Sequence, residues 1–600
     1  MTATPVIVTL TPGGEALGRR LAEALGADLH ARKPSGPVVA EVDAVAEHVR
    51  GVFLAGRPLI VVAAAGIVVR ALASVLCDKW REPPVLAVAE DGSAVVPLLG
   101  GHHGANALAT QIAALTKTTP AITTAGDLRL GLALDIAPEG WRLDPPGETK
   151  AVVAALLAGK PARISGAAPW LDALTAERVP GDGPVVLTVD DLPPLIWRRQ
   201  RLILGVGCAR GAAADDMIAL AGRVLADNGF APGEVAAIAS LDLKADEAAV
   251  HALARHLDVP AWFFPAKVLE AEAPRLANPS DVVFAEVGCH GVAEGAALAA
   301  AGPGGALVVA KTKIATATAA LATTGPTPRA GQGRGHLAVV GIGPGDAAWR
   351  TPEASRLVAE ADELVGYGLY LDLLGPLAVG KPRHAFPLGG EEDRCRYALE
   401  RAGEGARVAL ICSGDGGIYA MGALVMELVA RGAGPGGVSA AARRAEIVHV
   451  PGVSALQAAS ARAGALLGHD FCAISLSDLL TPRDDIRRRL RAAADGDFVV
   501  ALYNPVSRTR RTLLDEARET LLTARPAETP VLLASNLGRP EERLSRRTLA
   551  TLRTEEVDML TVVLIGSSQS QAVPVGDHAA GAAGAWLFTP RGYSRKGSGQ

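Results

Sequence analysis

Leu337-Ala-Val-Val-Gly-Ile-Gly-Pro-Gly-Asp346 reads as a short apolar strand running into a turn with glycine at 341, 343 and 345. Downstream, Thr351 has the chemistry of an N-cap and Pro352 that of a first helical residue. Ala354, Leu357, Val358, Ala361, Leu364 and Val365 then fall on one helical stripe. The segment is a strand–loop–helix unit, the building block of an α/β fold. Glycines in such a turn let backbone amides approach a ligand closely, although a plain structural turn uses the same residues. A dinucleotide fingerprint would need G-x-G-x-x-G and an acidic residue closing the next strand, and the sequence has neither. A nicotinamide-dependent oxidoreductase binding its nucleotide at Gly341–Gly345 stays as a competing reading.

Four more strand ends repeat the pattern. Arg407–Cys412 runs into Ser413-Gly-Asp-Gly-Gly-Ile-Tyr419, and Glu446–Val450 into Pro451-Gly-Val-Ser-Ala455. Phe498–Tyr503 ends in Asn504-Pro505, and Val531–Ser535 in Asn536-Leu-Gly-Arg539. Ligands of open α/β sheets bind beyond the carboxyl ends of strands, where these polar turns would converge.

On these residues the sequence resembles the tetrapyrrole methyltransferases that use S-adenosylmethionine, over about Gly335–Gln571. The Gly-x-Gly-Pro-Gly-Asp, Ser-Gly-Asp and Pro-Gly-Val-Ser-Ala turns stand in that family's order. Leu502-Tyr-Asn-Pro505 and Ser535-Asn-Leu-Gly-Arg-Pro-Glu-Glu542 are similar to the precorrin-3B C-17 methyltransferase subgroup of cobalamin biosynthesis. Ser413-Gly-Asp-Gly416 departs from the Gly-Gly-Asp-Pro of uroporphyrinogen methylases, and diphthine synthase fits the Tyr-Asn-Pro region less well. The resemblance implies a two-lobed α/β unit with S-adenosylmethionine folded in the cleft. Cofactor contacts would fall on Pro344, Ser413, Gly414, Asp415, Ile418, Ser454, Ala455, Asn504 and Gly538. Methyl transfer from a sulfonium releases a neutral thioether, so alignment of donor and acceptor supplies most of the acceleration. Asp415 could stabilise the cationic donor, or it could be a turn carboxylate satisfied by backbone amides. The subgroup's ring contraction would need a proton acceptor, for which His469, Asp470, Tyr367, His384 and Asp478 are candidates. Arg508, Arg510 and Arg511 could bind substrate carboxylates or form a solvated helix start.

Upstream, Gly66-Ile-Val-Val-Arg70, Asp78-Lys79, Leu98-Leu-Gly-Gly-His-His-Gly-Ala-Asn106 and Thr123-Thr-Ala-Gly-Asp127 form a second set of turns between apolar elements. Adjacent His102 and His103 with no nearby third ligand are poor zinc ligands, and no metal is expected. Further on come Gly205-Val-Gly-Cys-Ala-Arg-Gly211, Leu241-Asp-Leu-Lys-Ala-Asp-Glu247, Asn278-Pro-Ser280, Val292-Ala-Glu294 and Lys311-Thr-Lys313. Together these look like the cobalt-precorrin-5A hydrolase family over about 1–325, with Cys289-His290 a departure before Gly291. The implied reaction opens a lactone on the contracted macrocycle and releases acetaldehyde. Hydrolysis needs an activated water and an oxyanion donor. His102 or His103 could be the base, Lys79 or Lys244 the electrostatic stabiliser, and Asn106 the orienting group. The amides of Gly100–Gly104 could serve instead, or the whole region could bind tetrapyrrole without reacting.

Six hundred residues exceed what one core supports, so several domains are expected. Gly325-Pro-Thr-Pro-Arg-Ala-Gly-Gln-Gly-Arg-Gly335 lacks periodicity and reads as a linker. The expected parts are 1–129 and 201–325, hydrolase-like; 130–200, a small intervening module; 326–335, the linker; 336–575, the methyltransferase; and 576–600, a tail. A formal charge of −4 with no long run of like charges offers nothing to nucleic acid or an anionic membrane. The start has neither a basic leader nor an apolar span, so a cytoplasmic enzyme is expected, with a homodimer as the default assembly. Six scattered cysteines signal neither a disulfide framework nor a zinc knuckle.

Overall fold

The computed structural model describes the chain except residues 1–3, 77–81, 136, 145–148, 508–509, 575–584 and 594–600, and the side chains of 102, 125 and 127. Two compact units result: Met1–Leu337 with Leu399–Val408 and Arg431–Ile447, and Ala338–Ala398 with Ala409–Ala430 and Val448–Gln600. Both are built of sheets flanked by helices, as the α/β pattern requires.

The first unit opens with a six-stranded sheet in the order Ala40–Glu41, Asp28–Ala31, Val6–Thr9, Leu59–Val62, Val85–Val88, Val95–Leu99. Val6–Thr9 pairs in parallel with a strand on each side, so the strand order reverses there. The last strand is antiparallel, with Val95 opposite Val88 and Leu99 opposite Val85. This reversal separates two turns that look alike in sequence. Gly66 follows Val62 at the carboxyl end of the parallel strands, whereas Gly100–Gly104 follows Leu99 at their amino end.

A five-stranded module over Trp141–Arg199 comes next, closed around the fully buried Trp197. The third sheet runs Ala261–Phe264, Val235–Leu241, Leu202–Cys208, Ala317–Thr323, Ala306–Lys313, its first three strands parallel. Helix Val292–Ala301 packs so tightly on it that a Cβ at Gly205 would lie 2.0 Å from the Ala293 carbonyl oxygen. That contact explains a glycine inside a buried strand. The 326–335 segment is tied down rather than free: Gln332 exchanges two backbone hydrogen bonds with Phe263, at 2.8 and 3.0 Å.

In the second unit, one sheet has the order Arg383–Phe386, Glu363–Tyr367, Arg407–Cys412, His336–Gly341, Glu446–Val450. Another has Phe471–Ser475, Val499–Tyr503, Thr561–Ile565, Pro530–Ser535, Arg543–Thr548. Thr561–Ile565 runs antiparallel to both neighbours, so its amino end lies beside their carboxyl ends, with Thr561 opposite Ser535 and Val563 opposite Leu502. Thr351 caps helix Pro352–Glu360, its side chain accepting from the Ala354 amide at 3.1 Å. The helix is shorter than the stripe predicts. Ala361 leaves helical backbone, and Leu364 and Val365 belong to the next strand, where burial selects the same apolar residues.

Among the described residues no single helix is long and apolar enough to cross a membrane. The bent pair Asp281–Val287 and Val292–Ala301 has the length and composition, but the second helix is almost wholly buried in its own module.

Candidate active site

Five strand-end turns in the second unit converge on one cleft. Its walls are Pro344; Ser413, Gly414, Asp415, Ile418 and Tyr419; Ser454 and Ala455; Tyr503 and Asn504; and Asn536, Leu537 and Arg539. Tyr370, Ala534 and Met559-Leu-Thr-Val562 complete it. Of the nine residues expected to contact a cofactor, all but Gly538 line this cleft. Gly538 sits between two that do, and it is spent on backbone packing. Its φ is +69°, and a Cβ there would lie 2.5 Å from the Asp346 amide nitrogen.

Backbone contacts hold the turns in register. Gly343 and Gly414 exchange amide–carbonyl hydrogen bonds at 3.1 and 2.8 Å, coupling the first two glycine turns. Asp415 spans two turns: one carboxylate oxygen accepts the Gly417 amide at 2.8 Å, the other the Gly452 amide at 3.0 Å. Both oxygens are thus engaged by backbone while the residue still faces the cleft, the arrangement of a turn carboxylate that positions its neighbours. Ser454 Oγ lies 2.6 Å from the phenol oxygen of Tyr503, which also accepts the Leu456 amide at 3.0 Å. Burial pushes the Tyr503 phenol up from its ordinary pKa, against the pull of those two partners. Burial likewise raises Tyr370.

Three residues on the cleft wall, Tyr419, Asn504 and Asn536, hold positive φ between +50° and +51°. Non-glycine residues pay for that conformation, and such strain concentrates at functional sites. Arg510 explains how one is held. It is buried, donates to the Asn504 carbonyl at 2.9 Å and the Pro505 carbonyl at 3.2 Å, and pairs with Asp478 at 3.2 Å. Arg511 donates to the Thr554 carbonyl at 3.4 Å. Arg510 is therefore committed to its own turn rather than to a substrate, and Arg508 lies outside the described residues.

The ring-contraction candidates stand elsewhere. His469 is exposed, its Nδ1 accepts the Asp470 amide at 2.8 Å, and it is not part of the cleft lining. His384 lies between Tyr397, at 3.0 Å, and Glu363, at 3.2 Å. The hydrogen bond from Arg483 lowers the Asp478 carboxyl from its ordinary value. Tyr367 stacks edge-on with Tyr370, 5.3 Å between ring centres, and only Tyr370 reaches the cleft. Sequence reasoning also passed over Arg539 as a lining residue and the Met559–Val562 stretch. A signal existed for the latter, since Asp558 precedes the apolar run Val562–Ile565, but that strand enters the cleft by its amino end.

In the first unit, Gly101 and Asn106 line a hollow shared with Thr124, Asp135, Thr149 and Lys150 over an apolar floor at Leu132, Leu134 and Val153. The Asn106 amide donates to Thr124 Oγ1 at 2.9 Å. His103 is exposed in the short turn Gly101–His103. Lys79 and the His102 side chain lie outside the described residues. Lys244 is 3.6 Å from Glu247, which also pairs with Arg210 at 3.1 Å and accepts the Gly211 amide at 3.2 Å. Three separate marks of the third module prove to be one constellation. Buried Glu294 accepts from the amides of Ala277, Asn278 and Lys311 and from the Asn278 side chain, at 2.7 to 2.9 Å. Burial alone would raise that carboxyl; these donors outweigh it and hold it below its usual value. His290 donates its amide to Glu270 at 2.9 Å and stacks on Phe284. Among the described residues, no group of three or more His, Cys, Asp or Glu could hold a metal ion.

Comparison with known proteins matches this geometry to a family. Residues 336–553 match the Tetrapyrrole (Corrin/Porphyrin) Methylases. A precorrin-3B C(17)-methyltransferase of a Sinorhizobium species is 45% identical over 239 residues, which are 40% of this chain and 91% of the relative. The chain belongs to the tetrapyrrole methylases. Within that family, a probable cobalt-factor III C(17)-methyltransferase of Salmonella typhimurium is 39% identical over 258 residues, 43% of this chain and 99% of the relative. The methylase region is preceded by matches to Cobalamin synthesis G N-terminal at 47–127 and Cobalamin synthesis G C-terminus at 202–322. Protein CobE of a Sinorhizobium species is 59% identical over 121 residues, 20% of this chain and 79% of the relative. A tetrapyrrole methylase joined to cobalamin-synthesis modules replaces the oxidoreductase reading of the Gly341–Gly345 turn.

Proposed function

We propose that this chain is a bifunctional cytoplasmic enzyme of corrin biosynthesis. Its methylase unit would methylate precorrin-3B, or the cobalt form, at C-17 with ring contraction, and the preceding modules would open the lactone of cobalt-precorrin-5A. The observation that carries the first activity is the convergence of eight resemblance-derived contact residues on one cleft, in a region 45% identical to a named C(17)-methyltransferase.

The lining suits S-adenosylmethionine. Ser413, Ser454, Asn504, Asn536 and Thr561 offer hydroxyl and amide partners for a nucleoside and an amino acid, beside apolar Ile418, Ala455, Leu537 and Val562. A Cβ built at Gly414 meets nothing closer than 3.8 Å, so the missing side chain leaves open room in the wall. Bound S-adenosylmethionine supplies an electrophilic methyl group whose departure from sulfur needs no acid. What remains for the protein is alignment. Asp415 fixes the Ser413–Gly417 turn against Gly452, Tyr503 fixes the Ser454 turn, and Arg510 fixes Asn504, so the cofactor contacts Pro344, Ser413, Gly414, Ile418, Ser454, Ala455 and Asn504 are preset.

For lactone opening we assign the hollow lined by Gly101 and Asn106, with Asn106 orienting substrate, His102 or His103 as the base that activates water, and the amides of Gly100–Gly104 as the alternative donors to the oxyanion. A second reading, that 1–325 binds tetrapyrrole without reacting, is favoured by Glu294, both of whose oxygens are engaged by protein donors. Incubation with methyl-labelled S-adenosylmethionine and precorrin-3B, or its cobalt form, should yield a product heavier by one labelled methyl. Absence of label in either product rejects the methyltransferase. Acetaldehyde release from cobalt-precorrin-5A that survives replacement of His102, His103 and Lys79 rejects their assigned roles, and no release at all favours the binding reading.

A further inference from the structure

Two leucines in the loop that follows strand Phe471–Ser475 are exposed in a way that packing does not explain. Leu479 is 88% and Leu480 99% accessible. A leucine left in water forgoes the burial that stabilises apolar side chains. Their loop is not loose. It leaves strand Phe471–Ser475, whose Ser475 hydroxyl accepts from Asn504 Nδ2 at 3.1 Å, and the Leu476 amide donates to the Tyr503 carbonyl at 2.9 Å. Asp478 then pairs with Arg483 at 2.8 Å and with Arg510 at 3.2 Å, the same Arg510 that braces Asn504. The leucine pair is thus anchored through two residues of the cleft wall, Tyr503 and Asn504.

Apolar exposure continues into the cleft, where Ile418, Tyr419, Met559 and Leu560 all line it and are all exposed. Cations border the same surface. Arg489 lies on helix Arg483–Asp495, which begins directly after the leucine loop, and it is exposed and makes no ion pair among the described residues. Arg539 lines the cleft, its Nε donating to the Pro344 carbonyl at 3.2 Å.

We propose that Leu479 and Leu480 form a rigid apolar ledge that seats one face of the tetrapyrrole macrocycle, with Arg489 pairing a peripheral carboxylate. The proposal rests on the methyltransferase reading. A tetrapyrrole intermediate is a broad apolar disc with ionised side chains around its edge, so it asks for apolar contact on its face and cations at its rim. A second copy of the chain would explain the leucines alone, but neither the exposed residues inside the cleft nor the unpaired arginine beside them.

The test uses the full chain and two variants, Leu479→Ser/Leu480→Ser and Arg489→Gln. At saturating S-adenosylmethionine, the leucine variant should raise KM for the macrocycle about tenfold with kcat nearly unchanged, as expected when contact is lost equally from bound substrate and transition state. Affinity for S-adenosylhomocysteine, measured by calorimetry, should stay at the wild-type value. Arg489→Gln should raise KM about fivefold and flatten its dependence on salt. An unchanged KM in the leucine variant overturns the ledge, as does loss of an oligomer in sedimentation with KM unaltered. Should the wild type bind S-adenosylhomocysteine yet methylate neither precorrin-3B nor its cobalt form, the methyltransferase reading fails by itself. Titration of precorrin-3B absorbance then judges the ledge separately: weaker binding by the leucine variant supports it, and equal binding overturns it.

Discussion

The phenol oxygen of Tyr503 stands 2.6 Å from Ser454 Oγ and accepts the Leu456 amide, fastening the end of one strand to the turn that begins a helix in another part of the cleft. Tyr503→Phe keeps the ring and deletes this bridge, leaving a helix-start amide unpaired. Each of the two lost partners is worth about 1 kcal/mol, so affinity for S-adenosylhomocysteine should fall by up to about thirtyfold in a calorimetric titration. Because burial raises the phenol, wild-type affinity should show no step from its ionisation below about pH 9.

Asp415 supports two turns with two oxygens. Asp415→Asn can satisfy one amide but presents its own N–H groups to the other. Amides bonded to a charged acceptor contribute about 1.5–3 kcal/mol each. Thermal melting of the variant should show the loss, and methyl transfer should fall through kcat as the turns shift. A variant with wild-type melting and wild-type turnover would remove Asp415 from the positioning scheme.

Gly414 and Gly538 share a φ of +69° but differ in surroundings. Alanine at either costs about 1 kcal/mol for the left-handed backbone. At Gly538 it also drives a methyl against the Asp346 amide, whereas at Gly414 the methyl meets only ordinary van der Waals contact, at 3.8 Å from Ser454 Cα. Gly538→Ala should therefore melt markedly lower than Gly414→Ala. Gly414→Ala should instead weaken S-adenosylhomocysteine binding, which calorimetry on the two variants would resolve.

His30 and His48 are buried against each other, Nδ1 to Nε2 at 2.8 Å. Burial pulls His30 down to about 4, and burial lowers His48 as well. In the unfolded chain both take protons as pH falls through about 6.5. Between that value and about 4 the unfolded state binds more protons, so stability is complete above the window and declines as pH falls through it. Melting followed from pH 8 to 4 should show this slope. His30→Asn/His48→Gln should start lower yet lose less on acidification, and an unchanged slope would clear the pair of responsibility.

Much of the cleft is legible in sequence because turn chemistry is local. Glycine, asparagine and proline directly after an apolar run announce a strand end whatever surrounds it, and Ser413, Ser454 and Asn504 follow from that rule. Thr561 and Val562 do not, because their strand enters the site by its amino end and antiparallel pairing is a property of the folded sheet. Arg510 shows the opposite failure. An arginine beside a turn looks available until burial and three partners reveal its commitment. The Gly66 and Gly100–Gly104 turns carry similar glycine signals, yet one antiparallel strand sends them to opposite ends of the sheet.

The left-handed backbone at Tyr419, Asn504 and Asn536 bears on how such a cleft can diversify. At these positions a newcomer is screened first by handedness and only then by polarity: glycine or aspartate fits, and a β-branched residue of any chemistry does not. The outline of the wall is therefore inherited as backbone. Change in what the cleft accepts must travel through neighbours such as Ala455, Leu537 and Val562, which carry no such restriction. On the function proposed above, a lineage could exchange one macrocycle for another there while the frame that would align the methyl donor stays as it was.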